Sequence, residues 1–143
     1  MPSERAVPRV SSVLETALYV EDLGRACVFY QRVFGFEQFL AEERMVALGV
    51  PGGQVLLLFR RGGSETPSPV PGGVIPGHGG SGVQHLCFAI PLAELERWER
   101  HLPEQGVAIE SKVVQNFGGT SLYFRDPDGH SVEVAVPGLW PNY

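Results

Sequence analysis

A chain of 143 residues, 43% hydrophobic and 19% charged, has the size of one domain and enough apolar mass for a core, which excludes general disorder. Sixteen acids against eleven bases leave a net charge of −5. With no basic run, electrostatic binding to nucleic acid or to an anionic membrane is disfavoured. No apolar run reaches the ~18–20 residues that a membrane helix needs. Segment 1–13 carries arginines without an apolar block behind them, so it reads as a loose leader and not as a secretory signal. Cys27 and Cys87 are too few for a disulfide scaffold and are expected as free thiols in a reducing cytoplasm.

The first expected element is a strand over 13–20. Leu14, Thr16, Leu18 and Val20 take one face, and Glu15, Ala17 and Tyr19 take the other. Asp22 then suits a helix N-cap, Ala26, Phe29, Tyr30 and Val33 follow at helical spacing, and Gly35 suits the position just past the end. Three strands are predicted at 37–42, 45–50 and 54–60, the last two joined by a Pro51-Gly52-Gly53 turn.

Between Arg61 and Gly82, 12 of 22 residues are Gly or Pro, which argues against a helix or a central strand there. We read 61–82 as a long loop between two halves and as a candidate lid. The second half repeats the first. A strand over 83–90 leads to a helix opened by Pro91 that carries Leu95, Trp98 and Leu102 on one face. Gly106 follows, then strands at 107–114, 120–125 and 131–136, with Asp126-Pro127-Asp128-Gly129 as the last turn. Glu15 matches His85, Val20 matches Ile90, and Gly35 matches Gly106, so an internal duplication explains the order. The division is module one 12–60, loop 61–82, module two 83–136 and a tail 137–143 whose Leu139, Trp140 and Tyr143 are expected to pack on something.

Three residues stand out against this pattern. Glu15 and His85 fall on the face opposite the bulky aliphatics of their strands. Glu133 is a single acid in an otherwise apolar strand. A buried lone carboxylate costs several kcal/mol unless it is paired, protonated or metal-bound. Convergence of all three on a divalent cation is one explanation. Singly, each also fits an ordinary role: a solvated edge charge, a core histidine bonded to backbone, or a solvent-facing strand residue.

Four segments carry a family resemblance: 18–23 running on to Phe29-Tyr30, 33–36, 85–89, and Tyr123-Phe124-Arg125-Asp126-Pro127-Asp128-Gly129-His130-Ser131-Val132-Glu133. Through them the chain resembles the vicinal oxygen chelate superfamily, which includes glyoxalase I, extradiol dioxygenases, fosfomycin-resistance transferases and bleomycin-resistance proteins. The resemblance implies an α+β fold of two tandem βαβββ modules whose mixed sheets curl into a cup. It implies Glu15, His85 and Glu133 as metal ligands, with Glu133 or Glu15 also acting as the catalytic base. The fourth ligand position of glyoxalase I matches Leu57, which cannot ligate, and Glu15 departs from the His-His-Glu set of extradiol dioxygenases.

The implied function is a metal-dependent enzyme of glyoxalase or dioxygenase type acting on a small oxygenated substrate. The cofactor would be Mn, Fe, Zn, Ni or Mg. The alternative is a metal-free protein that sequesters an antibiotic, of bleomycin-resistance type. A homodimer is expected, with the site built within one chain or across two, and with neither nucleic acid nor membrane as partner. Tyr19, Phe117 and Tyr123 are the candidate substrate contacts. Cys87 is read as a small packing residue, and His78, His101 and His130 as surface residues.

Overall fold

In a computed structural model the structure describes residues 7–143; the first six positions of the expected leader lie outside the described residues. The remainder of that segment has no regular secondary structure. Strand β1 (Glu15–Val20) leads into helix α1 (Leu23–Phe34), then β2 (Glu37–Ala41), β3 (Met45–Val50) and β4 (Gln54–Arg60). Asp22 caps α1 by accepting the Arg25 N–H at 2.9 Å. Gly35 ends it in the left-handed region at φ 71°, its N–H bonded to the Gln31 carbonyl at 2.8 Å.

The Gly/Pro-rich segment is not structureless. It forms a short hairpin, β5 (Ser68–Val70) and β6 (Gly73–Ile75), which pairs only with itself and so tolerates Pro69. The second half supplies β7 (His85–Ala89), helix α2 (Leu95–Glu104), β8 (Ser111–Val114), β9 (Thr120–Arg125) and β10 (Ser131–Ala135). Pro91 opens a single tight turn over Leu92–Glu94 before α2 begins. Strand β8 starts four residues later than the pattern suggested. The Val107 N–H closes the helix end by bonding the Leu102 carbonyl at 2.8 Å, and ladder pairing begins at Ser111 opposite Tyr123.

The two halves have the same topology: one sheet orders as β1-β4-β3-β2 and the other as β7-β10-β9-β8. In each, the first and last strands of the module pair in parallel and the rest are antiparallel. The architecture is the expected α+β pair of βαβββ modules, with two separate four-stranded sheets. One hydrophobic core joins them. Leu18, Val20, Leu56 and Leu58 from the first sheet meet Leu122, Phe124, Val132 and Val134 from the second, with Phe29, Tyr30 and Val33 of α1 in the same cluster. Each such side chain contributes roughly 1.5–3 kcal/mol when fully buried. The opposite face of each sheet is left as the wall of an open cup.

Polar contacts also join the halves, and they overturn the surface reading of three histidines. His130 is fully buried. Its Nε2–H donates to the Tyr19 carbonyl at 2.8 Å, and its Nδ1 accepts the Gln84 N–H at 2.9 Å. The Gln84 side chain in turn accepts the Tyr19 N–H at 3.0 Å. His101, half-buried on α2, donates to the Val33 carbonyl at 2.8 Å and so bridges the two helices. His78 lines the cup of the first sheet. A histidine in a turn or on a helix looks solvated in sequence because the carbonyl it serves lies 68 or 111 residues away.

Candidate metal centre

The cup of the second sheet (cup two) holds about 650 Å³, lined by His85, Cys87, Gln115, Phe117, Tyr123 and Glu133 together with Leu139, Trp140 and Tyr143 of the tail. Strand alternation sends Val132 and Val134 into the core and Glu133 into the cup, yet Glu133 is only 4% exposed. Parallel register sets Glu133 beside Cys87, and antiparallel register sets it beside Tyr123.

His85 Nε2 lies 3.3 Å from Glu133 Oε1, and Glu133 Oε2 is buried without a hydrogen-bond partner. His85 Nδ1 lies 3.0 Å from the Ser131 carbonyl. A carbonyl only accepts, so Nδ1 carries a proton, and in a neutral ring Nε2 then presents a lone pair to a carboxylate. Two facing acceptors at that distance call for a cation between them or a proton on Nε2. A carbonyl-oriented imidazole, a buried carboxylate with an unused oxygen and an open cavity together fit a divalent ion.

The walls tune this pair. Partial burial, and then the Glu133 charge beside it, push the Cys87 thiol up to about 12, so Cys87 stays protonated at neutral pH. It opens onto the cavity and is not the packing residue expected from sequence. Burial raises the Tyr123 phenol as well, with Glu133 adding to the rise and the Gln115 hydrogen bond opposing it. Gln115 Nε2 donates to the Tyr123 oxygen at 3.2 Å and to Ser121 Oγ at 3.0 Å. The Tyr143 hydroxyl donates to the Ala135 carbonyl at 2.7 Å, which fastens the tail across the cup. Sequence marked the tail's apolar residues but not the wall they complete, because that wall depends on one hydroxyl finding one carbonyl.

Glu15 is elsewhere. It lines a second cavity of about 650 Å³ on the first sheet (cup one), with Tyr19, Leu57, Arg44 and His78. Among the described residues no group of three His, Cys, Asp or Glu side chains is placed to hold a metal ion. The structure therefore brings His85, Glu133, Phe117 and Tyr123 to cup two, and Glu15 and Tyr19 to cup one. Leu57 occupies in cup one the place that Glu133 has in cup two: it registers with Ala17 of β1 as Glu133 registers with Cys87 of β7.

The family model of the Glyoxalase/Bleomycin resistance protein/Dioxygenase superfamily matches residues 12–134. The chain belongs to this superfamily. Catechol-2,3-dioxygenase of Bacillus subtilis (strain 168) is 31% identical over 118 residues, which are 82% of this chain and 38% of that protein, so the chain spans well under half of this relative. A metallothiol transferase FosB of Bacillus licheniformis is 27% identical over 116 residues, 80% of this chain and 68% of that one. The crystal structure of a lactoylglutathione lyase from Agrobacterium tumefaciens superposes with a TM-score of 0.85 at 36% identity, covering 94% of this chain and 99% of that chain. Among the described residues no helix is long and apolar enough to cross a membrane.

Proposed function

We propose that this superfamily member is a divalent-metal-dependent enzyme of glyoxalase or dioxygenase type, acting on a small substrate that meets the metal through its oxygens. The observation that carries the reading is the His85–Glu133 pair, Nε2 and Oε1 3.3 Å apart beside a buried carboxylate oxygen with no partner. The proposed ligand set is His85 and Glu133 of one protomer with the partner's Glu15, in a homodimer that apposes cup two of one protomer and cup one of the other. The separation of Glu15 from the pair within one chain supports this arrangement. The relatives with printed activities, a dioxygenase, a metallothiol transferase and a lyase, support an enzyme over a sequestering protein. The two free cysteines support a reducing, cytoplasmic setting.

A bound divalent ion would supply Lewis acidity toward substrate oxygens and would be Mn, Fe, Zn, Ni or Mg. The chain's own residues do the rest. The Ser131 carbonyl fixes the His85 tautomer and ring direction. Glu133, itself buried, is the candidate proton acceptor, with the partner's Glu15 as the second. Tyr123 and Phe117 wall the substrate in cup two, and Tyr19 does so in cup one.

Elemental analysis tests this on protein purified without chelator and after reconstitution with each candidate ion. About one ion per chain, lost in His85→Ala and in Glu133→Ala, is the expected result. No metal under any condition would overturn it and favour the metal-free sequestering reading.

A further inference from the structure

Cup one contains polar groups that a metal centre in cup two does not use. Arg44, on the turn before β3, donates from Nη1 to the Gly63 carbonyl at 2.9 Å and reaches Ser68 Oγ from Nη2 at 3.4 Å. The His78 backbone N–H donates to the next carbonyl, Ser64, at 2.8 Å. Arg44 and His78 are thus moored to consecutive residues of the segment that crosses the cup. The His78 ring stands edge-on to Phe59, with centroids 4.5 Å apart, and its Nδ1 lies 2.7 Å from the Tyr19 hydroxyl. With Tyr19 donating to Nδ1, Nε2 carries the proton and has no hydrogen-bond partner among the described residues.

Arg44 makes no ion pair among the described residues, even with Glu42, which lines the same cup. Its guanidinium has five N–H donors, so three stay open. The remaining wall is largely apolar, with Leu40, Met45, Leu57, Phe59, Val70 and Ile75. Glu15 sits four residues down β1 from Tyr19, roughly 13 Å away along the strand. The cavity therefore has donors at the Arg44 end, where Glu42 also lies, an apolar middle and the Glu15 carboxylate at the far end.

We infer that Arg44, His78 and Tyr19 form an anchoring subsite for an anion, so that cup one takes a ligand with an apolar body and a carboxylate or similar planar anionic end. A guanidinium fork and an imidazole N–H suit two oxygens of one anion. The body then extends along β1 toward Glu15. Identifying this ligand as the substrate rests on the metal-enzyme reading above; the preference for an anion does not.

The test is isothermal titration of 4-phenylbutyrate against its neutral counterpart 4-phenylbutanamide, with the protein as purified and again after chelation. The carboxylate is expected to bind about tenfold tighter than the amide. Arg44→Gln and His78→Gln should each bring that ratio toward one in protein that still melts cooperatively. Lys112→Gln, on β8, should leave it alone. Equal binding of the two probes, no binding of either at millimolar concentration, or a ratio that survives Arg44→Gln would overturn the proposal. Because the ratio is read with and without metal, its failure is distinct from failure of the metal site.

Discussion

Three buried carboxylates differ in how completely the fold partners them. Asp126 spends both oxygens on the fold: Oδ2 accepts the Tyr30 hydroxyl at 2.8 Å, and Oδ1 accepts the N–H groups of Asp128 and His130 at 2.9 Å each. Asp128 leaves Oδ2 unpartnered, but its Oδ1 accepts the Glu21 N–H and lies 3.5 Å from Arg25. Glu133 faces the His85 ring with Oε1 and leaves Oε2 buried without a hydrogen-bond partner. Tyr30 carries a pH signature of the first arrangement. Burial first, and then the Asp126 charge, hold its phenol well above the ordinary value of 10.0. A raised folded value means the stabilisation is complete below the unfolded pKa, and it is lost as rising pH draws the proton from the unfolded chain first. Stability should therefore fall steeply above about pH 10. Tyr30→Phe should flatten that loss while costing about 1–3 kcal/mol at neutral pH, because Asp126 Oδ2 would lose its donor. Denaturant melts of both proteins across pH 7–11 check both effects.

Among the elements, the two βαβββ modules were legible wherever local signals agreed with the final packing. Asp22 and Gly35 bracket α1, and alternation marked the cup-facing and core-facing sides of β1 and β10. The 61–82 segment was not legible in the same way, since Gly and Pro mark turns without saying what the turns rest on. It is a strap moored by Arg44, by Arg61 to the Gly82 carbonyl at 3.0 Å, and by the Tyr19–His78 bond. Gly80 lies so close to the Tyr19 ring that a Cβ there would sit 2.5 Å from Cδ2. The ring cannot readily withdraw, being stacked on Phe59 as well as bonded to His78. Gly80→Ala should lift the strap at a cost of about 1–3 kcal/mol. Limited proteolysis should then cut within 61–82 at once, where the parent protein resists. His130 was illegible for the reason that hides most buried polar residues: its partners come from segments 46 and 111 residues away.

For the molecule as a whole, the question is whether one chain or two make a working centre. Mixing Glu15→Ala with Glu133→Ala protein distinguishes these. If the partner's Glu15 completes each centre, a mixed dimer contains one fully intact set and one doubly defective set. Refolding the two variants together should then restore metal to about a quarter of the parent content at random pairing. Refolding each alone should restore none of it. A centre confined to one chain would show no rescue. The placement of Leu57 opposite Ala17, where the other sheet sets Glu133 opposite Cys87, has its own consequence. The two modules present structurally equivalent walls, and the position that carries Glu133 in the second carries a leucine in the first. Position 57 can therefore change in shape and polarity without touching the His85–Glu133 pair of its own chain, so the lining of cup one can be retuned there while Glu15 stays in place.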